Sequence, residues 1–228
     1  MNGDFRARLE MLARRIQHDP RLELLSLTIG EPLEPDRIDE IQRRFGAPIP
    51  ESVRALYSSL NGATLRWRFT LTGEDTEPAS YYEFCGENGI INILSLENML
   101  LNDDYSLPQS EFEDEFDFDG AVYPDNQFCQ MLHPFDILGE VHAMAFVTAP
   151  ESVTWKLILL GDYWIEYDHS RTIHLDDYLR YIIATWGLAQ SREDLLSEYR
   201  GDQKEPLKYN RETAASATPP MLGLNDAG

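Results

Sequence analysis

The chain has 228 residues, 40 acidic and 19 basic, for a formal net charge of −21. A field of that sign repels nucleic acid and anionic membranes and draws basic partners, so direct binding of nucleic acid or a membrane is not expected. Hydrophobic residues make up 43% of the chain, enough for the core of one domain, and no run of about 18 apolar residues is present to cross a bilayer.

In chain order, Phe5, Leu9, Leu12 and Ile16 recur at helical spacing among Arg6, Arg8, Arg14 and Arg15. They predict an amphipathic helix in an N-terminal extension (1–30), folded back onto an acidic body. The opening Met1 to Arg6 lacks an apolar stretch, so no secretory leader and a cytoplasmic location are expected. A second helix opens at Glu34-Pro35-Asp36, carries Ile38, Ile41 and Phe45, and ends at Gly46. Pro50 suits the first position of a third helix with Val53, Leu56, Tyr57 and Leu60 inward, closed by Asn61-Gly62.

Thr64 to Thr72 alternates, with Leu65, Trp67, Phe69 and Leu71 on one face, as a half-buried strand does. Tyr81 to Phe84 and Ile90 to Leu94 are further strand candidates, and Ser95 to Leu101 reads as a short helix. Residues 102–120 form an acidic insert. Val141 to Thr148, Thr154 to Leu160 and Tyr163 to Tyr167 are predicted strands, the last two joined by the Gly161-Asp162 turn. A helix over Asp176 to Trp186 follows, then a short one within 187–200 and a flexible tail over 201–228. Helices, then strands that look antiparallel, then a closing helix predict an α+β domain. Its sheet is expected to be mixed but mostly antiparallel, with helices packed around it.

The charge is unevenly spread. Between Arg68 and Lys156 there is no lysine or arginine, and residues 69–155 hold 18 carboxylates. Residues 1–68 sum to +1 and residues 156–228 to −4. Within the insert, aromatic rings interleave with acids: Asp103, Asp104, Glu111, Phe112, Glu113, Asp114, Glu115, Phe116, Asp117, Phe118 and Asp119. These eleven are the candidate partner-binding residues. Rings supply buried area and carboxylates steer an Arg- and Lys-rich partner. The competing reading tucks the phenylalanines into the core and leaves the acids to water.

Signatures of catalysis are missing: no Walker loop, GxGxxG fingerprint, GxSxG elbow or HExxH motif occurs. Neither a catalytic residue nor a cofactor is expected. His133, Asp136 and His142 do not match a common metal-ligand spacing, so no metal is expected there. Glu115 to Gly120 partly mimics a calcium loop, but Asn126 stands where a bidentate carboxylate is needed. Cys85 and Cys129 have no CxxC spacing and read as buried thiols, with a disulfide left open. An enzyme with dispersed acidic catalysts is the remaining alternative, although no pair of acids stands out.

The spacing of Ile38, Ile41, Phe45-Gly46, Ile49-Pro50, Leu56-Tyr57 and Asn61-Gly62 resembles the opening of the SUKH superfamily, which takes in bacterial immunity proteins and fungal cell-wall assembly regulators. Ile90 to Leu96 is similar to that family's strand leading into a short helix. Thr154 to Asp168 followed by Leu175-Asp176-Asp177-Tyr178-Leu179 is similar to its terminal hairpin and closing helix. The resemblance covers about residues 34–186; the acidic insert, the N-terminal extension and the tail depart from it. It implies a single non-catalytic domain that binds a cognate protein toxin with a basic, nuclease-like surface. No binding residue carries over by position. A scaffold of the same fold that recruits several protein partners is the alternative implied, and a monomer is favoured.

Overall fold

The structure, a computed structural model, describes residues 5–70, 88–105, 115–118, 121–138, 142–148, 155–161, 166–167 and 172–188, with residues 116, 117, 166 and 167 described as backbone only. It is an α+β fold whose described strand pairings are all antiparallel. In chain order the elements are α1 (Phe5–His18), β1 (Leu22–Ile29), α2 (Pro35–Phe45), α3 (Glu51–Tyr57), β2 (Ala63–Phe69), β3 (Gly89–Ile93) and α4 (Leu96–Leu101). After a 3-10 turn at Asp103–Tyr105 come β4 (Glu115–Phe118), β5 (Ala121–Pro124), α5 (Asp125–Gln130), β6 (Leu132–Ile137), β7 (Ala143–Val147), β8 (Lys156–Gly161), β9 (Glu166–Tyr167), β10 (Ile173–His174) and α6 (Leu175–Ala184). The main sheet has eight strands in the order β1-β2-β3-β6-β7-β8-β10, with β9 also paired to β8; β4 and β5 form a separate hairpin.

Strand alternation divides the core in two. Along β7, Met144 and Phe146 belong to the larger cluster, while Ala143, Ala145 and Val147 belong to a second one. Successive side chains of a strand point to opposite faces, so the sheet is covered on both sides here. One face carries the helices α1, α2, α3, α4 and α6 through residues such as Leu9, Ile38, Leu56, Leu96 and Ile182. The other is covered by Phe118 of β4, Tyr123 of β5, and Phe128 and Met131 at α5.

The described part of the N-terminal segment is built into this core. α1 turns Phe5, Leu9, Leu12, Ala13 and Ile16 inward, at a helical period, and all five lie in the larger cluster. β1 then pairs with β2 along its length. The described residues of 5–30 therefore pack in the same cluster as those of α2, α3, α4 and α6. The predicted strand over Tyr81 to Phe84, the short helix within 187–200 and the tail over 201–228 fall outside the described residues, apart from Gly187 and Leu188.

The expected helix closure at Asn61-Gly62 is different in the structure. α3 ends at Tyr57, and Pro50 sits just before its first helical residue rather than within it. Asn61-Gly62 is instead a junction of three elements. Gly30 donates to Gly62 O at 2.8 Å, and Asn61 Oδ1 accepts from Leu96 N–H at 3.0 Å, satisfying one orphan donor at the start of α4. Ser95 caps the same helix, its Oγ accepting from Asn98 N–H at 3.2 Å. Gly62 has φ +86°, and a Cβ there would meet Ile93 O at 3.0 Å, so both backbone angle and space call for glycine.

The C-terminal end of α6 fills a gap in the sheet. The β3–β6 register pairs Ile93 with Asp136 at one end of β3, and at its other end the chain after α6 docks on β3. Ile90 N–H donates to Gly187 O at 2.8 Å, and Trp67 Nε1–H donates to Trp186 O at 2.8 Å. Trp186 holds φ 57°, an uncommon angle for a bulky residue, which these bonds stabilise. A Cβ at Gly89 would fall 1.9 Å from Trp67 Nε1, so glycine there makes room for the indole.

Candidate partner-binding surface

The acidic segment is described in two pieces. The first is the 3-10 turn after α4. Asn102 Oδ1 accepts from Asp104 N–H at 3.0 Å, a side-chain turn that stops the helix. It leaves Asp103 and Asp104 exposed, while Tyr105 is half-buried against the core.

The second piece is the β4–β5 hairpin. Register sets Glu115 opposite Pro124, both exposed, and Phe118 opposite Ala121. Phe118 is 3% exposed, its ring 5.6 Å from that of Phe128, with Lys156 Nζ 5.7 Å from its centroid. The expectation that Phe118 anchors a partner is therefore corrected: its strand position turns it onto the sheet, where it closes the second cluster. Among the described side chains of the hairpin, Val122 is 61% exposed. Val122 is not among the sequence candidates, although the alternation of Ala121, Val122, Tyr123 and Pro124 carries the signal for its outward position. The calcium-loop mimicry fails on the same geometry, since 115–118 and 121–124 are extended and paired. Of the other candidates, Phe116 and Asp117 lie on β4, described as backbone only. Glu111, Phe112, Glu113, Asp114 and Asp119 lie outside the described residues.

Three acids of the cation-free segment serve the fold. Asp136 is fully buried and accepts from Tyr178 Oη–H at 2.6 Å and from Asn92 N–H at 2.7 Å. Asp125 is buried beside Cys129, whose thiol donates to it at 3.7 Å. Glu97 on α4 accepts from Arg44 and Arg37 of α2, each at 2.7 Å, and these guanidinium groups hold its carboxyl below the usual carboxylate range. His133 Nδ1 lies 3.3 Å from Met99 O, and the ring packs edge-on to Phe45 at 5.2 Å. His133 and Asp136 thus face different partners rather than a common point.

The cations of the first 68 residues are largely engaged with acids of the same region. Arg21 pairs with Asp19 at 2.5 Å, Arg37 with Glu40 at 2.6 Å, Arg68 with Glu23 at 2.7 Å, and Arg54 with Asp39. The first 68 residues are close to neutral as a set, while Asp103, Asp104 and Glu115 of the cation-free segment are exposed. Among the described residues, no helix is long and apolar enough to cross a membrane. No family model, curated protein or solved structure matches the chain.

Proposed function

We propose that the protein is a non-catalytic immunity protein that binds a basic, nuclease-like toxin domain and blocks its substrate cleft. The observation that carries this reading is the 87-residue segment without a lysine or arginine and with 18 carboxylates. An enzyme that acts on nucleic acid binds it chiefly by neutralising phosphate, so its cleft is basic. An acidic protein of matching shape occupies such a cleft and reaches it quickly by electrostatic steering. The resemblance to the SUKH superfamily supports the immunity role. Asp103, Asp104 and Glu115 are the exposed described acids that would face the partner.

A pull-down from the host lysate at low salt, read by mass spectrometry and repeated at high salt, tests the reading. One dominant basic partner, lost at high salt, is the expected result. With that partner in hand, changing Asp103, Asp104 and Glu115 together to lysine should lower the association rate at low salt by about tenfold or more, with a smaller effect on dissociation. An unchanged, salt-insensitive association rate would remove the acidic face from the interface. A broad set of unrelated partners and no protection against a toxin would favour a scaffold role.

A further inference from the structure

β1 is the terminal strand of the main sheet, and among the described residues its outer edge has no strand partner. Such an edge offers a row of backbone donors and acceptors, and monomeric proteins usually blunt it with lysine, proline, inward charge or a bulge, of which β1 has only the bulge between Leu24 and Ser26. β1 has neither lysine nor proline, and its one charged residue, Glu23, is already paired to Arg68. Leu25 and Leu27 are 38% and 39% exposed.

The order in which β1 faces its two sides is symmetric. Leu22, Leu24, Leu27 and Ile29 stand opposite Phe69, Trp67, Leu65 and Ala63, on the core face. Glu23, Ser26 and Thr28 stand opposite Arg68, Arg66 and Thr64, on the outer face. The bulge between Leu24 and Ser26 moves the second half of the strand by one residue. Core-face positions 22, 24, 27 and 29 are thereby mirrored about the midpoint of Leu25 and Ser26. A two-fold axis through that midpoint, normal to the sheet, pairs two copies of β1 antiparallel. Leu22 then meets Ile29 and Leu24 meets Leu27, while Glu23 meets Thr28 instead of its own copy.

Two further observations fit a second copy. A groove of about 360 Å³ runs between α1, at Arg6, Glu10, Ala13 and Arg14, and the floor residues Leu27 and Ile29. Core-face side chains of an added strand would project beside that floor. The first 68 residues sum to +1, against −18 for residues 69–155, so two chains of −21 approach with least repulsion at this edge. We propose that the protein forms a two-fold dimer by edge-to-edge pairing of β1, in place of the monomer expected from sequence. The dimer joins the two sheets into one and leaves both acidic faces open.

Sedimentation velocity over a range of protein concentrations, at low and high salt, tests the dimer. The expected result is conversion of monomer to dimer with concentration, favoured by salt, which screens the repulsion between like-charged chains. Binding of the basic toxin responds to salt in the opposite sense, so failure of one proposal is distinguishable from failure of the other. Leu25 belongs to neither core cluster, so Leu25→Lys should keep the fold, checked by circular dichroism, and raise the dimer dissociation constant at least about tenfold. Amide exchange of β1 should also slow as protein concentration rises. A chain that stays monomeric, an L25K variant that dimerises as before, or a dimer whose β1 amides exchange at the monomer rate would each overturn the proposal.

Discussion

Asp136 sits fully buried where β3, β6 and α6 meet, and Tyr178 and Asn92, which donate to it, come from different elements. A buried polar group is costly when it loses a partner, because desolvation is no longer offset. Tyr178→Phe removes one donor with little change in shape. It should lower unfolding free energy by about 1–3 kcal/mol, measured by urea denaturation. His133 gives a pH-dependent counterpart. Burial pushes its pKa down, outweighing the opposite pull of the Met99 carbonyl. The unfolded chain therefore binds a proton that the native state resists. Stability from this group is fully present above pH ~6.5 and is lost as pH falls through the lower native value, by up to ~1.4 kcal/mol per pH unit. Unfolding curves between pH 7 and 5 should show a shallower loss in His133→Gln than in the unchanged protein; parallel slopes would remove His133 from the account.

At the scale of elements, the hairpin and α5 separate structural from interactive roles in the acidic insert. Phe118→Ala opens a cavity beneath β4 and should cost about 3–5 kcal/mol. Glu115→Lys, on the exposed side, should change stability by no more than about 0.5 kcal/mol. Thermal unfolding of the two variants distinguishes these roles, and equal effects would mean that Glu115 is not on a solvated face. Elements with unbroken periodicity were legible in the sequence: α1, α2, β2, β3, β7, β8 and α6 all lie close to their expected positions. Three main-sheet strands were not expected: β10 has only two residues, too short for a pattern, and β1 and β6 carry bulges. In β1 the bulge at Leu25 breaks the alternation of Leu22 to Ile29, and in β6 Pro134 argues against a strand until the irregularity between Pro134 and Asp136 accommodates it. β4 escaped for another reason, since Glu115 and Asp117 have poor strand propensity and are held extended by pairing with β5. Asp103, Asp104 and Glu115 were legible as exposed acids because charge alone predicts solvation. The inward turn of Phe118 depends on which face of the hairpin meets the sheet, which local pattern does not encode.

Across the whole molecule, two electrostatic effects oppose one another. Exposed ion pairs such as Arg37 and Arg44 with Glu97, or Arg68 with Glu23, favour the fold, and salt weakens them. Each contributes little, because its groups are 39–51% exposed and solvent already screens them. Against them stands a net charge of −21, whose self-repulsion disfavours the compact state over all distances shorter than the screening length. That length falls from roughly 30 Å at 0.01 M to 3 Å at 1 M salt, spanning the separations between charges across one domain. Repulsion should therefore win, and stability should rise with salt. A gain of 1 kcal/mol corresponds to a Tm increase of roughly 2–4 °C for a chain of this size. Calorimetry in sodium chloride and in choline chloride, at matched ionic strength, should give the same rise if it comes from screening. A rise with sodium alone would point to a specific cation site among the carboxylates. A fall in both salts would mean that the ion pairs outweigh the −18 of the central segment.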